Sequence, residues 1–498
     1  MRRLLRWTRN VIAAAIVVVV TVVVVYALQA LRLPDLQPWL TQAPTLEVTA
    51  SDLRDDFTFE QYLARENALF DETRKMLLAS IPPDQQVPGN RYWDGSPNYQ
   101  WKFATDWNRS FEMVPPQIKG GALLLHGLTD SPYSMRTMAR ALFDRGYYVL
   151  VLRIPGHGTV PAALERATWQ DWMAATRLGA RTVRAKIGAD APFVMVGYSN
   201  GGALVVEHQL DAIDDPSLPR ASHMILMSPM IGISPAAALA RVLNSLSFIP
   251  YFEKSAWTTV QPEFNPFKFN SFPLNGAVQT HALTDQIARD IRRLEANGHI
   301  ARMPPILAFS SVLDTTVSTT ALVRTLFDHL PANGSELVLF DLNRLAAFSI
   351  VFTPSDLAFL RTLANHEPRA FRQTVITNEN AQSSIAIERS IAAGSRDIVD
   401  QPTDLVYPPG VFSLSHIAVP FPINDPLYGL TPDESESFGI RLGTLALRGE
   451  RFALQVPLDQ LARIGCNPFY AYLERRVIAW LASESDRPAP DQVVAPDA

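Results

Sequence analysis

The chain has 498 residues, with 44 basic against 49 acidic side chains, a formal net charge of −5 and one cysteine, Cys466. A hydrophobic share of 47% with 19% charged residues excludes overall disorder, and the length allows one large domain with insertions or two to three smaller ones. The mild acidity gives no support for a nucleic-acid binder, and a lone cysteine excludes an internal disulfide or a multi-cysteine zinc site.

The N-terminus comes first in chain order. Val11 to Leu28 is apolar except for Thr21, with eight valines between Val17 and Val25. As a helix this run spans about 27 Å, close to a bilayer core. Arg2, Arg3, Arg6 and Arg9 precede it and only Arg32 closely follows. This charge asymmetry predicts a basic cytoplasmic N-terminus (1–10), one transmembrane signal anchor (11–31) and an exported remainder, periplasmic if the source is Gram-negative. A cleaved signal peptide is the rival. Its apolar region is shorter and ends in a small-x-small site, whereas Tyr26 to Ala30 places Leu28 where a small residue is wanted.

Residues 32–118 read as a stalk and lead-in segment that packs on the core. Pro34, Pro38 and Pro44 mark the stalk. Phe59, Leu63, Phe70 and Leu77 recur at helical spacing between Asp56 and Ser80, and Pro82-Pro83 ends that helix. The aromatic-rich stretch with Trp93, Tyr99, Trp101 and Trp107 reads as packing. Asn108-Arg-Ser110 fits a glycosylation triplet, relevant only in a eukaryotic secretory route.

From Gly120 the pattern becomes α/β. Strands are expected at Ala122–Leu125, Tyr147–Leu152, Phe193–Val196, His223–Met227, Ile306–Ser310, Glu336–Phe340 and Val411–Ser415. Helices are expected at Met135–Arg145, Trp169–Ile187 and Gly201–Leu210. Such alternation implies a mostly parallel twisted sheet with helices on both faces. The core is assigned to 119–229 and 304–485, a cap insertion to 230–303, a second insertion to 345–410 and a disordered tail to 486–498.

The strongest chemical signal is Gly197-Tyr-Ser199-Asn-Gly201. A G-x-S-x-G turn between strand and helix presents its serine in a strained conformation, and glycines flank it because side chains would collide across the bend. A serine hydroxyl is a weak nucleophile and needs a base and donors for an oxyanion. His126-Gly127-Leu128, ending the first clear strand, would bring the backbone N–H of Leu128 beside that of Asn200. His126 itself reads as a turn-shaping residue.

The His126-Gly127 turn, Pro155-Gly-His157-Gly158 after the second strand, and the serine turn together resemble the α/β-hydrolase superfamily. They look most like its monoacylglycerol-lipase, carboxylesterase and serine-aminopeptidase-like branch. The resemblance covers residues 120–228 well and 304–330 fairly. It implies the chain order nucleophile, acid, base. Asp314, after the strand Ile306–Ser310, fits the acid, with Asp341 as competitor. The base must be His329, His366 or His416. His416 is preferred because it follows the apolar run Val411–Leu414 and so sits at a strand end. The gap of 102 residues between acid and base departs from the simplest family pattern.

No H-E-x-x-H, cysteine cluster or Walker loop appears, so no cofactor or metal is expected. Leu243, Leu246, Phe248, Ile249, Tyr251, Phe252 and Trp257 in the cap could wall an acyl site. The reading is a membrane-anchored serine hydrolase for a small-molecule ester or lipid, lysophospholipid and monoacylglycerol among them. Two alternatives stand: a peptidase or amidase of the same fold, and a non-catalytic membrane-tethered binding protein.

Overall fold

The computed structural model describes residues 32–232, 250–314, 316–349, 368–445 and 458–484, with a few positions between 7 and 25. The expected anchor (11–31) falls mostly outside the described residues, and the expected tail (486–498) wholly so. Among the described residues no helix is long and apolar enough to cross a membrane.

Ten strands form one sheet: β1 (Phe111–Met113), β2 (Gly120–Leu125), β3 (Tyr147–Leu152), β4 (Phe193–Tyr198), β5 (His223–Met227), β8 (Ile306–Ser311), β9 (Glu336–Phe340), β10 (Arg372–Asn378), β11 (Ile385–Ile391) and β12 (Ile398–Val406). A separate hairpin pairs β6 (Trp257–Thr259) with β7 (Phe272–Pro273). The order is β1-β3-β2-β4-β5-β8-β9-β10-β11-β12. From β3 to β10 every pairing is parallel, while β1 meets β3 and β11 meets both β10 and β12 in antiparallel fashion.

The central strands are mostly apolar along their length because both faces are covered. Successive side chains point to opposite faces, so each strand feeds two cores. Leu123, Leu125, Met195 and Leu226 join one core with Leu178, Leu204 and Leu283, from helices Trp169–Ile187, Asn200–Asp214 and Leu274–Ala296. Ala122, Leu124, Val194 and Val196 join the other with Met138 and Leu142 of Arg136–Phe143 and Leu473 and Val477 of Tyr470–Glu484.

The second insertion expected at 345–410 supplies strands β10, β11 and β12, which widen the main sheet by hydrogen bonding outward from β9. The strand expected just after it needs correction. Val411–Ser415 is not a strand. Its backbone is taken up one bond at a time, with Asn343 donating to the carbonyls of Val411 and Phe412 and Ser311 Oγ to that of Leu414. The lead-in packs from its start. Trp39 and Leu40 are buried with Leu77, Tyr92 and Val160.

The lead-in helix Phe59–Ser80 opens with a capping box between Thr58 and Gln61 and buries Phe59, Phe70 and Leu77. Its Tyr62 hydroxyl donates to the Arg153 carbonyl at 2.6 Å. Arg153 is 1% exposed and pairs with Glu66 and Glu47, each at 2.9 Å. The lead-in is thereby pinned to the loop after β3. Asn108 is fully buried and donates to the Pro266 carbonyl, which leaves it no room for a glycan.

Candidate active site

The site lies at the C-terminal ends of the parallel strands, where open α/β sheets present their loops. Ser199 is the single residue between β4 and helix Asn200–Asp214, at φ 52° and ψ −116°. A side chain at Gly197 would strike the Gly201 carbonyl, and one at Gly201 the Leu125 carbonyl, so the bend can close only with both positions bare. The Ser199 N–H donates to the Met227 carbonyl and its own carbonyl accepts from Met230 N–H, each at 2.9 Å, which ties the bend to the end of β5.

His416 opens a short 3-10 turn, His416–Ala418. Its Nε2 lies 2.9 Å from Ser199 Oγ and its Nδ1 lies 2.7 Å from Asp314 Oδ2. The other carboxylate oxygen of Asp314 accepts the N–H groups of Thr316 at 2.9 Å and Val317 at 2.8 Å. With Asp314 accepting, Nδ1 carries the proton and Nε2 is left to accept from the serine hydroxyl. The geometry therefore joins the three residues singled out by sequence, across 217 residues from His416 to Ser199.

Two of the competing residues, Asp341 and His329, are committed elsewhere. Asp341 is fully buried, holding Arg344 and accepting from Thr377 Oγ1 at 2.7 Å. His329 faces Glu295 at 3.1 Å on the surface. His366 lies outside the described residues.

The turn after β2 passes directly against the serine. A Cβ built at Gly127 would sit 3.2 Å from Ser199 Cβ. His126 locks this turn: Nδ1 donates to the Gly127 carbonyl at 2.9 Å and Nε2 accepts the Ile154 N–H at 3.0 Å. Burial, with the nearby His157 ring, holds the His126 imidazole well below its ordinary pKa, so it stays neutral and keeps both bonds. Burial also pushes His157 down, to about 4, with its Nδ1 against the Ile154 and Pro155 carbonyls. Among the described residues the N–H groups of Leu128 and Asn200 have no acceptor within the protein. Asn200 is the first helical residue, where backbone donors are left over.

Ser199, His416 and Leu128 border a cavity of ≈ 470 Å³. Phe264, Phe269, Phe272, Ile417, Phe421 and Leu442 give it an apolar wall. Of the expected cap residues, Leu243, Leu246, Phe248 and Ile249 lie outside the described residues, as do the side chains of Tyr251 and Phe252. Trp257 packs with Trp39 and Tyr92 instead of facing the cavity. Sequence reading missed Phe264, Phe269 and Phe272, because a Pro/Phe-rich loop has no periodicity to read.

One carboxylate cluster could in principle attract a metal ion. Glu207, Asp211 and Asp290 bring oxygens within 4.8 Å of one another between helices Asn200–Asp214 and Leu274–Ala296. It is remote from the cavity lining, and Arg177 holds Asp211 at 2.7 Å while Arg293 holds Asp290 at 3.0 Å.

Residues 116–342 match the family described as serine aminopeptidase, S33. This core has the α/β-hydrolase fold. The α/β-hydrolase core also carries a sequence likeness to a thermostable monoacylglycerol lipase of Bacillus sp. (strain H-257), 32% identical over 129 residues. That stretch is 25% of this chain and 50% of the lipase, so the chain spans half the length of the curated relative it matches. Among solved structures, a metagenome-derived lipolytic enzyme is 21% identical and aligns over 52% of this chain and 96% of its own, with a TM-score of 0.37. A soluble variant of the Saccharomyces cerevisiae monoglyceride lipase is 14% identical over 46% of this chain and 81% of its own, with a TM-score of 0.36.

Proposed function

We propose that the protein is a serine hydrolase that cleaves carboxylic esters through an acyl-enzyme, with Ser199 as nucleophile, His416 as base and Asp314 as its orienting acid. The observation that carries this reading is the unbroken relay from Asp314 through His416 to a serine held on a strained strand-to-helix turn, at 2.7 and 2.9 Å. His416 takes the Ser199 proton as the hydroxyl attacks the ester carbonyl, then returns it to the leaving alcohol. Water, deprotonated by the same imidazole, releases the acid. The developing oxyanion is met by the N–H groups of Leu128 and Asn200.

The matched family's description favours a second reading, an aminopeptidase. A free substrate amine needs a carboxylate in the pocket. None of the cavity-lining residues is Asp or Glu among the described residues, which favours the ester. Residues 11–31 hold the enzyme in a membrane, with the arginine-rich end retained and the hydrolase exported, where lipid esters are at hand.

The test is fluorophosphonate labelling of the full chain beside Ser199→Ala. Label lost in the variant supports the assignment, and label retained rules this serine out. A panel of p-nitrophenyl esters against aminoacyl anilides then separates esterase from peptidase. A C-terminal reporter active only outside the cytoplasm tests the topology.

A further inference from the structure

The cavity beside Ser199 holds more charge than an acyl pocket needs, and all of it has one sign. Besides His416, the only ionic side chains lining it among the described residues are Lys268 and Arg463. Neither makes a salt bridge or a side-chain hydrogen bond within the described residues. A cation on an apolar wall without a counter-ion loses hydration and gains nothing in return, unless a ligand supplies the partner.

Both cations hang from main chain tied to the catalytic groups. Phe269, next to Lys268, donates its N–H to the Thr129 carbonyl at 2.8 Å, one residue beyond Leu128. The carbonyl of Lys268 accepts from the buried Arg91 at 3.1 Å, which fixes the loop from behind. Ile464, next to Arg463, accepts through its carbonyl from Ser415 Oγ at 2.6 Å, one residue before His416. Lys268 is half-buried and Arg463 is exposed towards the mouth.

One carboxylate bears on Lys268 from outside the cavity. Asp130 is 2% exposed, accepts the Ser131 N–H at 2.9 Å and is pushed up to about 6 by burial. Even fully ionised, it answers one of the two positive charges. Burial pulls the Lys268 ammonium below its ordinary range, Asp130 opposing this and Arg463 adding to it.

We propose that Lys268 and Arg463 form an anion subsite, and that the substrates are esters that also carry a phosphate or carboxylate group. This rests on the ester-hydrolase reading. The anion belongs either to the leaving alcohol, as in an acylglycerol phosphate, or to the far end of the acyl chain, as in a half-ester of a dicarboxylic acid. In both, the apolar wall takes the hydrocarbon and the cations take the charge.

The experiment compares matched pairs on the full chain: lauroyl-glycerol with lauroyl-glycerol phosphate, and p-nitrophenyl hexanoate with the p-nitrophenyl half-ester of adipic acid. The pair showing the higher anionic-to-neutral ratio of kcat/KM locates the anion. Lys268→Gln lowers that ratio at least about tenfold, chiefly through KM, Lys268→Arg restores most of it, and added salt weakens it. Arg463→Gln, at an exposed position, repeats the test without risk to folding. Binding to Ser199→Ala reads the subsite apart from the chemistry: lauroyl-glycerol phosphate binds at least about tenfold more tightly than lauroyl-glycerol, and Lys268→Gln removes the difference. Equal binding of the two lipids, or a ratio indifferent to both substitutions, overturns the subsite. Discrimination in binding with no turnover of any ester would instead sink the hydrolase reading alone.

Discussion

His416 is the residue on which the relay turns, because it alone touches both Ser199 and Asp314. Substituting Ser199 or His416 by Ala should lower kcat by on the order of 10⁴–10⁶ each, and the double variant should be little worse than either, since the groups act as a unit. Steady-state rates on p-nitrophenyl esters check this, and additive losses would contradict it. Asp314→Asn should cost on the order of 10⁴ in kcat by favouring the wrong imidazole tautomer. Asp341→Asn, which loosens Arg344 and Thr377, should show in the melting temperature and leave kcat within about twofold. Serine and glycine positions were legible in sequence because the bend admits nothing larger at Gly197 and Gly201. Lys268 was not, because no local pattern says which lysine of a Phe-rich loop turns inward.

Elements add their own dependencies, most of them through buried charge. Arg153→Met strands the Glu47 and Glu66 carboxylates beneath the lead-in and should cost about 3–5 kcal/mol in urea unfolding. An unchanged midpoint would mean that the lead-in is not held there. Glu207 lies where helix Asn200–Asp214 meets helix Leu274–Ala296, and burial, with Asp211 and Asp290 beside it, pushes its carboxyl up to about 9. From its ordinary value of 4.5 up to about 9 the unfolded chain gives up this proton while the folded one keeps it. Stability from this group therefore falls as pH rises through that window. Glu207→Gln keeps the neutral shape, so its melting temperature should match the wild type near pH 4 and exceed it near pH 8. Parallel curves would refute the assignment. Of these two helices only the first was expected from sequence, as Gly201–Leu210, while Leu274–Ala296 fell within the cap insertion 230–303, and a carboxylate meeting two others across an interface has no signature in the chain.

Taken whole, the molecule is a wide sheet whose strands from β3 to β9 follow their sequence pattern and whose outer strands β10 to β12 do not. Tyr148–Leu152 and Met224–Met227 are buried on both faces, so each is an unbroken apolar run. Towards the far edge that rule lapses. Eight of the nine β12 residues lie outside the core and Pro402 stands in the middle of the strand, so Ile398–Val406 has the sequence pattern of a loop. The detour through β10, β11 and β12 also explains the long gap between acid and base, which sequence left as an unassigned insertion. It has a consequence in time. Nucleophile and acid leave the ribosome long before the base, and His416 reaches its place only once three further strands have been laid down. A chain still being made thus holds its serine and its carboxylate without the imidazole that joins them, and the Asp314–His416–Ser199 relay closes only late in synthesis.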